Sequence, residues 1–277
     1  MADFLSKMAV ASEARLRAAR AEVPDAAIRE RSAAAPEPVP LELGGFDLIA
    51  ELKRRSPAAG GLAASGFDPS AQLAAYAAGG AAAVSVLTEP TEFNGSLDDL
   101  RAAAEQLRPA GVPVMRKDFS VDPYQVHEAR AAGASGVLLI AAMLSDAVLA
   151  ESLATAQTLG LFVLLEAFDE DDLARIGKLD LKGDRAPVLV GVNSRNLKTL
   201  AVDFERFAAL AERMPRGVPA VAESGINDAE EIRSVAERGY TLALVGSALM
   251  RNADVAATVG EFIAAGRATA GGRAGCS

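Results

Sequence analysis

Three short apolar runs in this chain end on charges that the runs do nothing to accommodate. LIAELK (48–53) carries Glu51 and Lys53, VPVMRK (112–117) ends on Lys117, and LFVLLE (161–166) ends on Glu166. A charge placed directly behind apolar residues is desolvated at a cost unless something uses it. Residues two apart on a strand share a face, so Glu51 and Lys53 point the same way. A surface ion pair at a strand end is one account of that pair, and such pairs stabilise little. The other account is a pocket. There, ammonium groups would donate protons or hold anions, and carboxylates would orient them or relay protons.

The elements that must position these groups repeat along the chain. Eight short apolar runs read as strands, at 48–53, 82–87, 112–117, 137–141, 161–166, 188–193, 219–223 and 241–246. They are rich in Val, Leu and Ile and apolar on both faces, as parallel strands covered on both sides should be. Amphipathic segments lie near 69–79, 96–107, 122–132, 145–159, 169–176, 203–213, 227–237 and 254–266. Several of these segments end in Gly just before the next run, as in ARAAGASGVLLIAA, because Gly takes the left-handed conformation that stops a helix. Strand then helix, eight times over, predicts an α/β fold of the (β/α)8 TIM barrel type. A doubly wound open sheet would place a Gly-rich turn after its first strand, and ELKRRSP is no such turn. Residues 1–45 read as an N-terminal helical extension of one or two helices, with a Pro-rich connector at 34–40, packed on the barrel of 46–267. Residues 268–277 (ATAGGRAGCS) read as a flexible tail, and KLDLKGDRAP (178–187) as a longer loop.

In such a barrel the C-terminal strand ends and the loops after them build the active site. As a set they supply Glu51, Lys53, Lys117, Glu166, Asn193, Arg195 and Glu223, while Thr88 and Asp118 fit turn or helix caps. The last two strand ends carry Ser224-Gly225 and Gly246-Ser247. Small residues there let backbone N–H groups approach an anion, and phosphate after strands seven and eight recurs in these barrels. Ser56 in RRSP is placed to complete that cradle. His127, the single histidine, sits in a helical stretch and reads as a solvated or partly packed helix residue. No His/Cys cluster indicates a transition-metal site. The single cysteine, Cys276, permits no intrachain disulfide. A net charge of −9 without a long basic run argues against nucleic acid or an anionic membrane as partner. Without a signal-like or membrane-spanning run, the expected location is the cytoplasm.

With these residues assembled, the chain resembles the indole-3-glycerol phosphate synthase family. The motifs are IAELKRRSP (49–57), SVLTEPTEFNGSLDDL (85–100), MRKDFSVDPYQ (115–125), LLEAFDEDDL (164–173), GVNSRNLKT (191–199), VAESGI (221–226) and VGSALMR (245–251), in the family's order. The resemblance implies a cofactor- and metal-free ring closure of 1-(2-carboxyphenylamino)-1-deoxyribulose 5-phosphate, with loss of carbon dioxide and water, in tryptophan biosynthesis. It implies Lys117 as the acid for ring closure. Lys53, beside Glu51, would bind the substrate carboxylate or serve the dehydration, and Glu166 would steady a cationic intermediate or relay a proton. Asn193, Glu223 and Arg195 would position substrate, Phe93 would wall the aromatic ring, and the partner would be a small anionic sugar phosphate taken by a monomer or weak oligomer. The family usually continues S-P-S-K/R-G after its first strand, whereas Ala58-Ala59 stand here, leaving Arg54 or Arg55 as the replacement cation. A phosphoribosylanthranilate isomerase would share the phosphate turns but would want a Cys/Asp pair. A phosphate-binding protein that has lost its chemistry would not need Lys53, Lys117 and Glu166.

Overall fold

The computed structural model describes residues 4–56, 60–61, 67–196, 199 and 201–273. Among them, eight parallel strands close into a barrel, each neighbour in sequence being a neighbour in space. They are Asp47–Leu52, Ala83–Leu87, Val114–Lys117, Gly136–Ile140, Phe162–Ala167, Val188–Asn193, Ala220–Glu223 and Leu242–Val245. The first strand closes the ring, pairing Asp47 with Leu242 on one side and Ile49 with Ala83 on the other.

Strand alternation sorts every side chain into one of two cores. Leu48, Ala50, Val114, Val163, Leu165 and Val190 face outward, under the helices. Ile49, Ala83, Met115, Leu138, Leu164, Leu189, Val221 and Leu244 face inward and fill the barrel. Continuing the inward series by two or four residues reaches Glu51 and Lys53, Lys117, Glu166, Asn193, Glu223 and Gly246 at the C-terminal ends. The fourth strand puts Ile140 at that level instead. The same parity that packs the barrel therefore delivers the charges to one mouth.

The helices begin where the sequence marks them. Ser96, Asp122, Ser145, Asp169 and Asp228 each accept a backbone N–H of the first turn that follows. Gly133 and Gly160 stop two helices with φ of +89° and +71°. No regular element occupies the expected long loop between Ile176 and Val188. The last helix runs from Val255 to Arg273, so the tail expected from residue 268 starts out helical. Cys276 lies outside the described residues. No helix among the described residues is long and apolar enough to cross a membrane.

Two helices precede the barrel, α1 (Phe4–Glu22) and α2 (Asp25–Ala34). Met8 of α1 is fully buried in the interior core, so this helix covers part of the mouth. Tyr124 anchors the end of α1 by donating its hydroxyl to the carbonyls of Val23 at 2.9 Å and Ala19 at 3.2 Å. His127 is buried against α2, its Nδ1 2.8 Å from Ser32 Oγ, and burial followed by nearby Arg29 pushes its pKa down. It is a packed structural residue.

Candidate active site

At the mouth, Lys117 Nζ stands 3.6 Å from both Glu166 Oε2 and Glu223 Oε2. Lys53 Nζ lies 2.5 Å from Glu51 Oε1. Asn193 donates its amide to Glu166 Oε2 at 3.0 Å, which fixes that carboxylate relative to the lysine. All six side chains come from strand ends that the sequence singles out. They line two joined spaces that share Lys117. One is a polar chamber of about 330 Å³ reaching Arg195, Ser224, Gly225, Gly246 and Ser247. The other is a slot of about 50 Å³ walled by Leu87, Phe119, Ile140 and Phe168. A larger groove of about 880 Å³ opens between the N-terminal helices and the outer helices, away from these charges.

The electrostatics separate the carboxyl groups. Burial alone would push Glu51 up, but Lys53, Lys117 and Arg195 outweigh it and hold the group below the ordinary range. Burial pushes Lys117 down, and Glu166, Glu223 and Glu51 together more than reverse this, so it stays an ammonium. Glu223 goes the other way. Burial and the adjoining Glu166 carboxyl drive it well above the usual carboxylate range, and Lys117 offsets this only in part. Neither Glu223 oxygen has a hydrogen-bond partner among the described residues. The mouth thus holds the Glu51–Lys53 pair beside the Lys117 ammonium, which is flanked by Glu166 and by a Glu223 carboxyl whose ionisation is disfavoured.

Two glycines make room for this arrangement. A Cβ on Gly191 would run into Glu223 Oε1 and come within 3.0 Å of Leu164 Cδ1. A Cβ on Gly246 would collide with Glu51 Oε1 and stand 3.0 Å from Lys53 Nζ. Gly246 therefore admits the charged pair as well as shaping the turn that the sequence marks. The Ser224-Gly225 turn has φ of +68° and +77°. Such a conformation is costly for serine and is held by its surroundings, here in part by Ser194, whose hydroxyl donates to the Ser224 carbonyl at 3.0 Å.

The remaining expected residues fall less neatly. Arg195 is half-buried in the chamber wall; its N–H donates to Asn193 Oδ1 at 3.0 Å, and Arg206 donates to the carbonyls of Asn193 and Arg195 at 2.9 and 3.3 Å. Phe93 does not line the slot. It packs behind Phe119, ring centroids 6.0 Å apart. Phe119 lines the slot. Its signal was its place two residues after Lys117 in MRKDF. Ser56 pairs with Gly60 in a short hairpin, and its side chain lies outside the described residues, as do residues 57–59. Arg54 is engaged in an ion pair with Asp99. Thr88 and Asp118 are more than caps: both belong to a buried polar network with Arg116.

The family model for indole-3-glycerol phosphate synthase matches residues 6–262. The chain belongs to the indole-3-glycerol phosphate synthase family. An indole-3-glycerol phosphate synthase of Mycolicibacterium smegmatis is 42% identical over 243 residues, 86% of either chain. The synthase of Mycobacterium tuberculosis matches to the same extent. The 3-hexulose-6-phosphate synthase of Salmonella typhimurium shares the fold, with a TM-score of 0.61 at 15% identity over 81% of this chain and all of that one. As an indole-3-glycerol phosphate synthase family member the chain is an enzyme, a decarboxylating carbon–carbon lyase of tryptophan biosynthesis.

Proposed function

We propose that the Lys117–Glu166–Glu223 cluster and the Glu51–Lys53 pair divide the ring closure of 1-(2-carboxyphenylamino)-1-deoxyribulose 5-phosphate between them. The observation that supports this most is one ammonium held at equal distance from two carboxyl groups, where polar chamber and apolar slot meet. The aryl ring occupies the slot against Phe119, backed by Phe93, and the phosphate lies at Ser224-Gly225 and Gly246-Ser247, with Ser56 completing the cradle. The aryl carbon bearing the carboxylate bonds to the ribulose carbonyl carbon. The oxygen gains negative charge and takes a proton from Lys117, which an alkoxide can do even from a raised ammonium. Glu166 steadies the cationic ring. Carbon dioxide leaves, its bonding pair returning to the ring. The new hydroxyl takes a second proton from Lys53 and departs as water, and Glu51 removes the proton from the adjacent carbon to complete the indole. Asn193, Arg195 and Glu223 hold the substrate and the charges in register, and Glu223, whose protonated form is favoured by burial, is placed to return a proton to Lys117.

We further propose that the enzyme works in the cytoplasm as a monomer or weak oligomer, with residues 1–45 serving the barrel of 46–267. Purified protein given the ribulose substrate in the presence of EDTA should release carbon dioxide and fluorescent indole-3-glycerol phosphate in equal amounts. Tight substrate binding with no product would instead mark a binding protein that has lost its chemistry. Activity lost in EDTA and restored by one metal would overturn the metal-free route.

A further inference from the structure

Asp118 follows Lys117 just past the end of the strand, and its carboxylate turns to the side away from the Lys117 ammonium. Lys117 faces the barrel interior, and Asp118 faces outward beneath α1. Its buried carboxylate gathers four donors: Arg15 Nη2 at 2.7 Å, the Thr88 hydroxyl at 2.7 Å, Arg116 Nη2 at 3.0 Å and the Phe119 N–H at 2.8 Å. Three of these belong to the barrel. Arg15 comes from the N-terminal helix.

The other arm of Arg15 reaches a second loop. Its Nη1 lies 3.4 Å from Glu89 Oε1. Glu89 is fully buried and caps the short helix Pro90–Phe93, accepting the N–H groups of Thr91 at 2.9 Å, Glu92 at 2.6 Å and Phe93 at 3.3 Å. One guanidinium therefore spans the turn that carries Phe93 and the strand end that carries Lys117 and Phe119. The rest of α1 seats it there, through Met8 in the mouth and through Ser12 Oγ, which accepts from Gln125 Nε2 at 2.9 Å.

We propose that Arg15 is a positioning residue of the ring closure, setting the Lys117 ammonium against the aromatic wall. A guanidinium suits the task because its rigid planar fork holds two carboxylates at a fixed separation and direction, whereas a lysine offers one point charge on a flexible stem. Asp118 stays ionised for this: burial would push its pKa up, but Arg116 and Arg15 hold it down. The step being set is a carbon–carbon bond formed between a ring in the slot and a carbonyl under Lys117. Reacting atoms must approach to about 3–3.5 Å, and a 1 Å error costs about 100-fold.

The inference rests on Lys117 being the acid, and the experiment separates the two. Steady-state constants are measured for Arg15→Met, Arg15→Lys, Lys117→Met and, as control, Arg17→Met, whose side chain is 71% exposed on the same helix. Arg15→Met should lower kcat/KM between about tenfold and 100-fold, with part of the loss in kcat. Arg15→Lys should fall between it and the parent, and Arg17→Met should match the parent. Constants within twofold of the parent for folded Arg15→Met, with only a lowered melting temperature, would make Arg15 a stability contact and overturn the inference. If Arg15→Met does not fold, Arg15→Lys decides: folded protein with parental constants overturns it, and folded protein with reduced kcat supports it. An inactive Lys117→Met beside a normal Arg15→Met defeats only the present inference, whereas an active Lys117→Met defeats the assignment of the acid.

Discussion

Replacing Lys117 by Met keeps the length of the side chain and removes its charge and protons. In the parent, Nζ lies 3.6 Å from each of two buried carboxyl groups. At an effective dielectric constant of about 20, a full charge at that distance is worth about 5 kcal/mol of gross attraction. Removing one partner of a buried ion pair typically costs about 3–5 kcal/mol, because the remaining charge is stranded. Here the stranding is relieved at Glu223, while Glu166 is left with the Asn193 amide. Glu223 is already driven well above the carboxylate range, chiefly by burial and then by Glu166, and losing Lys117 drives it further. Protonation of Glu223 offsets part of the cost, so the loss of stability at neutral pH should lie near the low end of that range, about 3 kcal/mol. The sign with pH follows from the raised pKa. A carboxyl raised in the folded state contributes stability that is complete below its unfolded pKa of about 4.3 and is lost as the pH climbs through the folded value. In Lys117→Met that loss should move to higher pH, so urea midpoints should depend on pH over a window shifted upward from the parent's. Turnover should fall about 100-fold or more, since proton donation contributes that much, while the phosphate turns and the aromatic slot still bind substrate. Rapid-quench single turnovers with urea melts measure both effects. Ring closure near the parental rate would show that the acid is another group, and a variant that cannot fold at neutral pH would show that Glu223 does not take up the charge.

Three further changes probe the rest of the mouth. Lys53→Ala leaves Lys117 in place, so single turnovers should form the new carbon–carbon bond and accumulate the closed intermediate before water loss; a block before ring closure would assign Lys53 to the first step. Ser247→Asp sets a carboxylate against a phosphate dianion and should raise KM by about tenfold or more with near-parental melting; an unchanged KM would move the phosphate elsewhere. Gly191→Ala adds a methyl where Glu223 Oε1 now stands. It should lower kcat more than it raises KM, with a stability loss of about 1–3 kcal/mol, and parental kcat would show that the position of Glu223 does not matter.

The sequence by itself determined the barrel and the level at which its chemistry sits. Apolar runs of strand length, alternating with helical segments that open on Ser or Asp and close on Gly, admit few other folds. Strand alternation is strictly twofold, so Glu51, Lys53, Lys117, Glu166, Asn193 and Glu223 had to share the interior face with Ile49, Met115, Leu164, Leu189 and Val221. Local rules also marked the Ser224-Gly225 and Gly246-Ser247 turns. Tertiary structure decided what no local rule encodes. Which carboxyl group would carry a proton depends on separations across the barrel: Glu166 and Glu223 lie on different strands, and only ring closure brings both to one lysine. Gly191 and Gly246 look like ordinary strand and turn glycines until the carboxylates opposite them are placed. Phe119 lines the slot with Phe93 packed against it, because the turn after Glu89 brings the Phe93 ring there. The seat of Arg15 is the furthest from the reach of sequence, since its carboxylates stand 74 and 103 residues away. Alternation and capping are set by neighbours in the chain, whereas pKa values, clearances and bridging ion pairs are set by distances that exist only after the chain has closed.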